Sequence, residues 1–374
     1  MITAIEPYII QEGYDRKTCW VQSRAGVFPD GQAVLTTQKL LLTGSDIFYG
    51  LHSRHSQDSG LSWSPLTAQA GLNRRPYGDG LVICPCDGTP AWHKASQTML
   101  LTGHTAVYRD DTLARPYQHF TFYSTYEPAT RCWAEWRTLD LPDATGLLAS
   151  CGAGCTQRFD LPDGDILLPV YGPGQPPAPD CAVVILRCGF DGKTLTFKEA
   201  GQPLCLTGGR GFVEPSVTAY SGRFFLTLRN DSKGYVASSE DGLHYSTPKP
   251  WCWEDGTEIG NYNTQQHWLV GGGDLYLVYT RRGAGNDHIF RHRAPLFIAQ
   301  VDPERLCLLR TTERVAVPEK GARLGNFGVT RVSDSESWVV VSEWMQTTAP
   351  NPYDYTVCEK YGANNRIWRS RILF

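Results

Sequence analysis

Residues 279–297, YTRRGAGNDHIFRHRAPLF, hold Arg281, Arg282, His288, Arg291, His292 and Arg293 in one glycine-bearing stretch between apolar runs. Cations at that density steer an anionic ligand through their summed field. A phosphate cradle is the poorer reading, because no glycine-rich turn opens a helix here. A second set can move protons near neutral pH. His93 and His104 lie in AWHKASQTMLLTGHTAVY, Tyr171 and Arg187 in LLPVYGPG and VILRCGF, and His267 in YNTQQHWLV. Histidine and tyrosine act as general acids and bases once they are within hydrogen-bond reach of the reacting group. The plainer alternative is that the histidines are satisfied inner-strand residues and that Tyr171 packs between sheets.

The elements that must position these groups read as strands. Glycine (37), proline (24) and aromatics (11%) are abundant, and long stripes of period 3.6 are absent. Short alternating runs separated by turn signals point to an all-β fold. The stretch SRHSQDSGLSWSPL sets a ruler, with Ser56, Asp58, Gly60 and Trp63 at S-x-D-x-G-x-x-W spacing. CGFDGKTL and SSEDGLHY align on it by Gly192 and Gly242, each with an acid just before the glycine. Hydroxyl and carboxylate can bond the turn's backbone, glycine supplies a positive φ, and the aromatic plugs between strands. The spacing of these turns fits one four-stranded propeller blade each.

On that ruler the blades span Cys19–Leu66, Trp92–Leu139, Gly152–Leu204, Gly211–Trp251, Asn263–Pro318 and Leu324–Phe374, with ITAIEPYII completing the last. Six blades follow, or seven if one long interval hides two units. Residues 1–374 read as one propeller domain.

Bulk properties exclude several classes. A net charge of −3 over 374 residues, with 20% charged residues, lacks the basic face of a general nucleic-acid binder. No apolar run is long enough to span a bilayer. The opening residues show no secretory signal, so a cytoplasmic protein with reduced thiols is expected from its twelve cysteines. Their spacing matches no zinc site, and neither a metal nor another cofactor is expected.

The turns look like Asp boxes, and through them the chain resembles the sialidase superfamily over most of its length. That resemblance implies three arginines gripping a sugar carboxylate by paired hydrogen bonds. Arg24 in WVQSRAGVFPDGQAVLTT, Arg229 in VEPSVTAYSGRFFLTLR and Arg293 in RAPLFIAQ stand at the matching places. It further implies Asp46 in TGSDIFYG as acid/base and Glu214 as the partner of the nucleophile. The family's tyrosine nucleophile would fall in LGNFGVTRV, where Phe327 stands; Tyr361 is a substitute by type.

The expected function is a glycoside hydrolase acting at a carboxylated sugar, with an acidic oligosaccharide or glycan as partner. The chain is also similar to propeller lyases that act on uronic acids. That implies His93, His104 and Tyr171 as proton-transfer groups, Arg187 neutralising the uronate, and His267 as a further candidate. A non-catalytic glycan-binding propeller is the third reading.

Overall fold

The computed structural model describes residues 1–43, 46–115, 118–141, 145–173, 181–348 and 350–374. The last glycine of the run after Tyr171 (residue 174) lies outside them. Among the described residues the chain is all-β: its strands form antiparallel sheets, and Tyr355–Lys360 is the one α-helix.

Each sheet is built mainly from consecutive strands, which keeps its connections short. The first runs Thr18–Val27, Ala33–Leu41, Phe48–Ser56 and Thr67–Ala68. The second is built on Val82–His93, Thr98–Arg109 and Thr121–Glu127, and the third on Ile166–Pro173, Cys181–Phe190 and Leu195–Ala200. Val213–Tyr220, Arg223–Arg229, Gly234–Ser239 and Lys249–Pro250 make the fourth; His267–Gly271, Asp274–Tyr279 and Leu296–Asp302 lead the fifth. The sixth joins Gly328–Arg331, Glu336–Ser342 and Ile367–Leu373 to the N-terminal strand Ala4–Gln11, paired from Ala4↔Leu373 to Gln11↔Ile367.

The innermost strands pack in chain order around an axis. Thr18–Val27 lies against Val82–His93, the third sheet's inner segment bridges in parallel from Gln157 to Ser216 of Val213–Tyr220, and that strand lies against His267–Gly271. Gly328–Arg331 then returns to Thr18–Val27. Between the second and third sheets, Arg158 donates to the Leu100 and Ala91 carbonyls at 2.8 and 3.0 Å. The architecture is a β-propeller. Its core lies between neighbouring sheets, where Leu100 meets Leu168 and Val184, and Trp251 meets Trp268.

The second sheet starts earlier than its sequence suggests. Pro85 and Pro90 lie inside Val82–His93, although two prolines in CPCDGTP read as loop. They are tolerated because this innermost strand is nearly an edge, where a missing N–H breaks few ladder bonds.

Strand direction assigns the connections to faces. Loops joining second to third strands, including Asp46, Asp231 and residues 280–295, lie on one face; turns joining third to fourth strands lie on the other. The turn after Ser56 is therefore remote from Asp46. There Ser56 Oγ donates to Asp58 Oδ1 at 2.8 Å and accepts from Gly60 N at 2.8 Å, while Trp63 Nε1 donates to Gly60 O at 3.1 Å. In SSEDGLHY the hydroxyl is Ser239, which donates to Asp241 at 3.0 Å and accepts from Gly242 N at 2.9 Å. That is one residue closer to its glycine than Ser56 is. Around Asp191 the carboxylate alone accepts from the turn amides, at 2.8 and 2.6 Å.

Candidate active site

The innermost strands share a local irregularity that builds the site. Gln22, Asp87, Cys155, Glu214 and Asn263 all have left-handed backbones, with φ of 57, 53, 55, 48 and 50°. In the first, second and fourth sheets the residue sits at a register shift, between Val21 and Arg24, Cys86 and Thr89, and Val213 and Ser216. Such a bulge re-aims a side chain that a regular strand would bury between sheets. Non-glycine residues hold this conformation only where the surroundings over-determine it. Here the first five of the six sheets each carry one such residue, Asp87 and Glu214 among them.

Above these residues lies a cavity of about 390 Å³, on the face that carries Asp46. Arg210, Arg229, Arg291, Arg293 and Arg323 line it, with Asp46, Asp87, Glu214, His104, His119, Tyr171, Asn326, Phe290 and Trp344. Glu214 and Arg229 face each other at the end of one hairpin, where Val213 pairs with Arg229, and they form a buried ion pair. Arg229 also donates to Asn263 Oδ1 at 2.6 Å, and Arg293 Nε donates to the Asn263 carbonyl at 3.0 Å. Gly325 makes that approach feasible, since a Cβ there would come within 2.4 Å of Arg293 Cδ. Arg323 lies flat on Trp344, 3.5 Å from the ring centroid.

Burial pushes Arg323 down to about 9 and Arg293 well below the usual arginine range, with neighbouring guanidiniums adding to both. Asp46 opens onto the cavity but is enclosed by protein mass. Burial raises its carboxyl, the Arg323 charge opposes this, and Asp87 adds to it.

A chain of hydrogen-bonding side chains forms the opposite wall. Tyr171 Oη is 3.4 Å from His104 Nδ1, and His104 Nε2 is 3.4 Å from Asp87 Oδ2. With Nε2 facing the carboxylate, Nε2–H donates to Asp87 and Nδ1 is left to accept from Tyr171. Burial alone would raise the Asp87 carboxyl; His104, Arg24 and the Cys155 thiol overcome it and hold the group well below its ordinary value. Burial lifts the Tyr171 hydroxyl well above its usual range, and the Glu214 charge lifts it further. His119 stacks on His104 at 5.1 Å and is pushed down to about 4, first by burial and then by His104.

Arg24 does not reach the cavity. It is fully buried beneath it, with Nη2 3.3 Å from Asp87 and 3.2 Å from Cys155 Sγ, and Nε donating to the Phe327 carbonyl at 3.2 Å. Phe327 is itself buried. His267 lies in the same layer, bonded to Ser216 Oγ at 2.8 Å, and burial lowers it to about 3. His93 sits at the other end of its strand, held by Gly164 O at 2.9 Å and Ser96 Oγ at 2.7 Å. Arg187 pairs with Asp163 and Asp165 at 2.7 Å each, away from the cavity. Tyr361 is exposed and stacked on His288 at 4.3 Å. Of the residues expected from sequence, Asp46, Glu214, His104, Tyr171, Arg229 and Arg293 converge; Arg24, His267, His93, Arg187 and Tyr361 do not join them.

Sequence reasoning missed Asp87, Arg323 and Asn263. Aligning the inner strands on Glu214 would have exposed the first and last, since both hold the same left-handed position. Cys86, Asp87 and His104 bring donor atoms within 4.8 Å of one another, a grouping able to approach a metal ion. Arg24 at 3.3 Å from Asp87 opposes a cation there, and burial holds the Cys86 thiol protonated, well above its usual value.

No protein-family model matches the sequence, and neither does any curated protein. Solved structures do match in shape. A protein of unknown function from Dyadobacter fermentans aligns with TM-score 0.71 and 16% identity over 100% of both chains. Trypanosoma rangeli sialidase bound to the inhibitor DANA aligns with TM-score 0.63 and 13% identity, over 95% of this chain and 55% of that one. The Hadza microbial sialidase Hz136 gives 0.64 and 10%, over 98% and 68%. The fold is that of a sialidase-like β-propeller. At such identities the likeness concerns shape alone, and the chemistry of this sialidase-like propeller must be argued from its own cavity.

Proposed function

We propose that the protein is a carbohydrate-active enzyme that cleaves a glycosidic bond at a carboxylated sugar, by hydrolysis, on a single propeller whose six sheets are six blades. The observation that carries this is one cavity with guanidinium groups on one side and the Tyr171–His104–Asp87 chain on the other. Arginine forks match a carboxylate's two oxygens, so Arg229 and Arg293, fixed on Asn263, hold the acid and orient the ring.

Tyr171 Oη then attacks the anomeric carbon and its proton passes to His104 Nδ1, while Asp87 stabilises the imidazolium. Asp46 donates a proton to the departing oxygen. Water next attacks the anomeric carbon and breaks its bond to Tyr171 Oη, Asp46 removes the water's proton, and His104 returns its own to Tyr171. Tyr171 thus takes the role that Phe327 cannot fill.

β-Elimination from a uronate is the second reading, favoured by the same His104–Tyr171 contact. In it Tyr171 passes its proton to His104, its oxygen removes the C5 proton and delivers it to the leaving oxygen, and His104 returns the first proton. Incubation with sialosides and uronate oligosaccharides separates the readings. New reducing ends without ultraviolet absorbance mean hydrolysis, absorbance means elimination, and binding without turnover means a lectin.

A further inference from the structure

We propose that the cavity takes a saccharide carrying two anionic groups, a ring carboxylate and a second oxyanion on the same or the adjoining sugar, in preference to a singly charged acidic sugar. This rests on the acidic-sugar function above and narrows its ligand class. Five arginines line the cavity against three carboxyl groups. Asp87 is engaged by buried Arg24 from below, Glu214 by Arg229, and Arg210 by Asp231 at 2.8 Å.

Among the described residues the ion pairs leave Arg291, Arg293 and Arg323 without a carboxylate partner. The one carboxyl left to face them is Asp46, whose neutral form burial favours. Arg293 and Arg323 are buried; an enclosed charge without a partner is costly, and guanidinium does not escape by losing its proton in the physiological range. A single ligand carboxylate would leave part of this positive charge uncompensated.

The cations also fall into two groups held by different elements. Arg229 and Arg293 share Asn263, at 2.6 and 3.0 Å, at the head of the fifth sheet. Arg323 is laid on Trp344 at 3.5 Å, with the Phe290 ring 5.2 Å away. Exposed Arg291, at φ 53°, stands beside that second group on the turn carrying Phe290. Stacking on an aromatic face leaves the N–H edge of Arg323 free to fork a planar or tetrahedral oxyanion. The first pair suits the ring carboxylate. Arg291 and Arg323 suit a sulfate ester, a phosphate ester or a second carboxylate.

Calorimetric titration of the intact protein with a uronate disaccharide, a simple sialoside, and the O-sulfated, O-phosphorylated and dicarboxylate counterparts tests this. At low salt at least one dianionic series should bind about tenfold or more tightly than its monoanion. The gain should vanish in Arg323→Met and in Arg291→Gln, while monoanion affinity moves less than about threefold. Arg291 is exposed, so its variant should fold even if the Arg323 variant does not. Equal or weaker binding of every dianion overturns the proposal and leaves the acidic-sugar site standing. A gain that survives in Arg291→Gln also overturns it. Failure of every acidic sugar to bind overturns both.

Discussion

Tyr171, His104 and Asp87 stand in hydrogen-bonding sequence, 3.4 Å apart at each step, so removing one oxygen at the end of the chain separates chemistry from binding. Tyr171→Phe should lower kcat by roughly 10²–10⁴-fold with KM and melting temperature nearly unchanged; full turnover by this variant would dismiss Tyr171. Asp46 can act as an acid only while protonated. Because burial raises its carboxyl, kcat/KM should fall as pH rises through that raised value. Asp46→Asn should abolish this limb and slow alkyl leaving groups far more than nitrophenol, measured by pH-rate profiles on both substrates. Asp87 behaves oppositely. Its folded carboxyl lies below the unfolded value, so its stabilisation is present above the unfolded pKa and is lost as pH falls through the folded one. Asp87→Asn strands the Arg24 charge in the interior and should cost about 3–5 kcal/mol, read from denaturant unfolding at neutral pH.

At the scale of strands and turns, the connections on the face remote from the cavity were the most legible part of the chain, because their chemistry is local. Ser56, Asp58 and Gly60 bond within five residues of one another. Glu214 and Arg229 were legible for a similar reason, being the open ends of one hairpin. Arg24 was recognisable by its strand context but not by its depth, since the bulge at Gln22 sends it beneath Asp87. Arg323 and Asn263 were invisible because long-range packing around the axis decides where they point. The turns differ in what they touch. Gly60 has φ +78°, and a Cβ there would lie 2.4 Å from Arg369 Nη1 and 2.7 Å from the Trp338 ring; at Gly192 (φ +94°) the nearest atom is 3.3 Å away. Both alanine variants suffer left-handed strain of roughly 1 kcal/mol. Gly60→Ala must also displace Arg369 from the Gly60 carbonyl, which it holds at 2.6 Å. Its loss of stability in thermal melts should exceed that of Gly192→Ala by about 1–3 kcal/mol.

Across the whole molecule, the sixth sheet ties the ring shut using both ends of the chain. Ala4–Gln11 covers Ile367–Leu373, with Glu6 2.9 Å from Arg371, which also holds Glu336 at 2.7 Å. Arg369 on the covered strand reaches the first sheet through the Ser59 and Gly60 carbonyls. Deleting residues 1–11 would turn Ile367–Leu373 into an open edge whose unpaired N–H and C=O groups can pair with another chain. The cavity is built from inner strands and opposite-face loops, none of which belongs to the deleted segment. The truncated protein should therefore melt several degrees lower, at roughly 2–4 °C per kcal/mol lost, and self-associate in sizing chromatography. Its remaining folded fraction should bind acidic sugars with unchanged affinity. A truncated chain that stays monomeric with an unaltered melting temperature would show that the ring does not depend on this strand for closure.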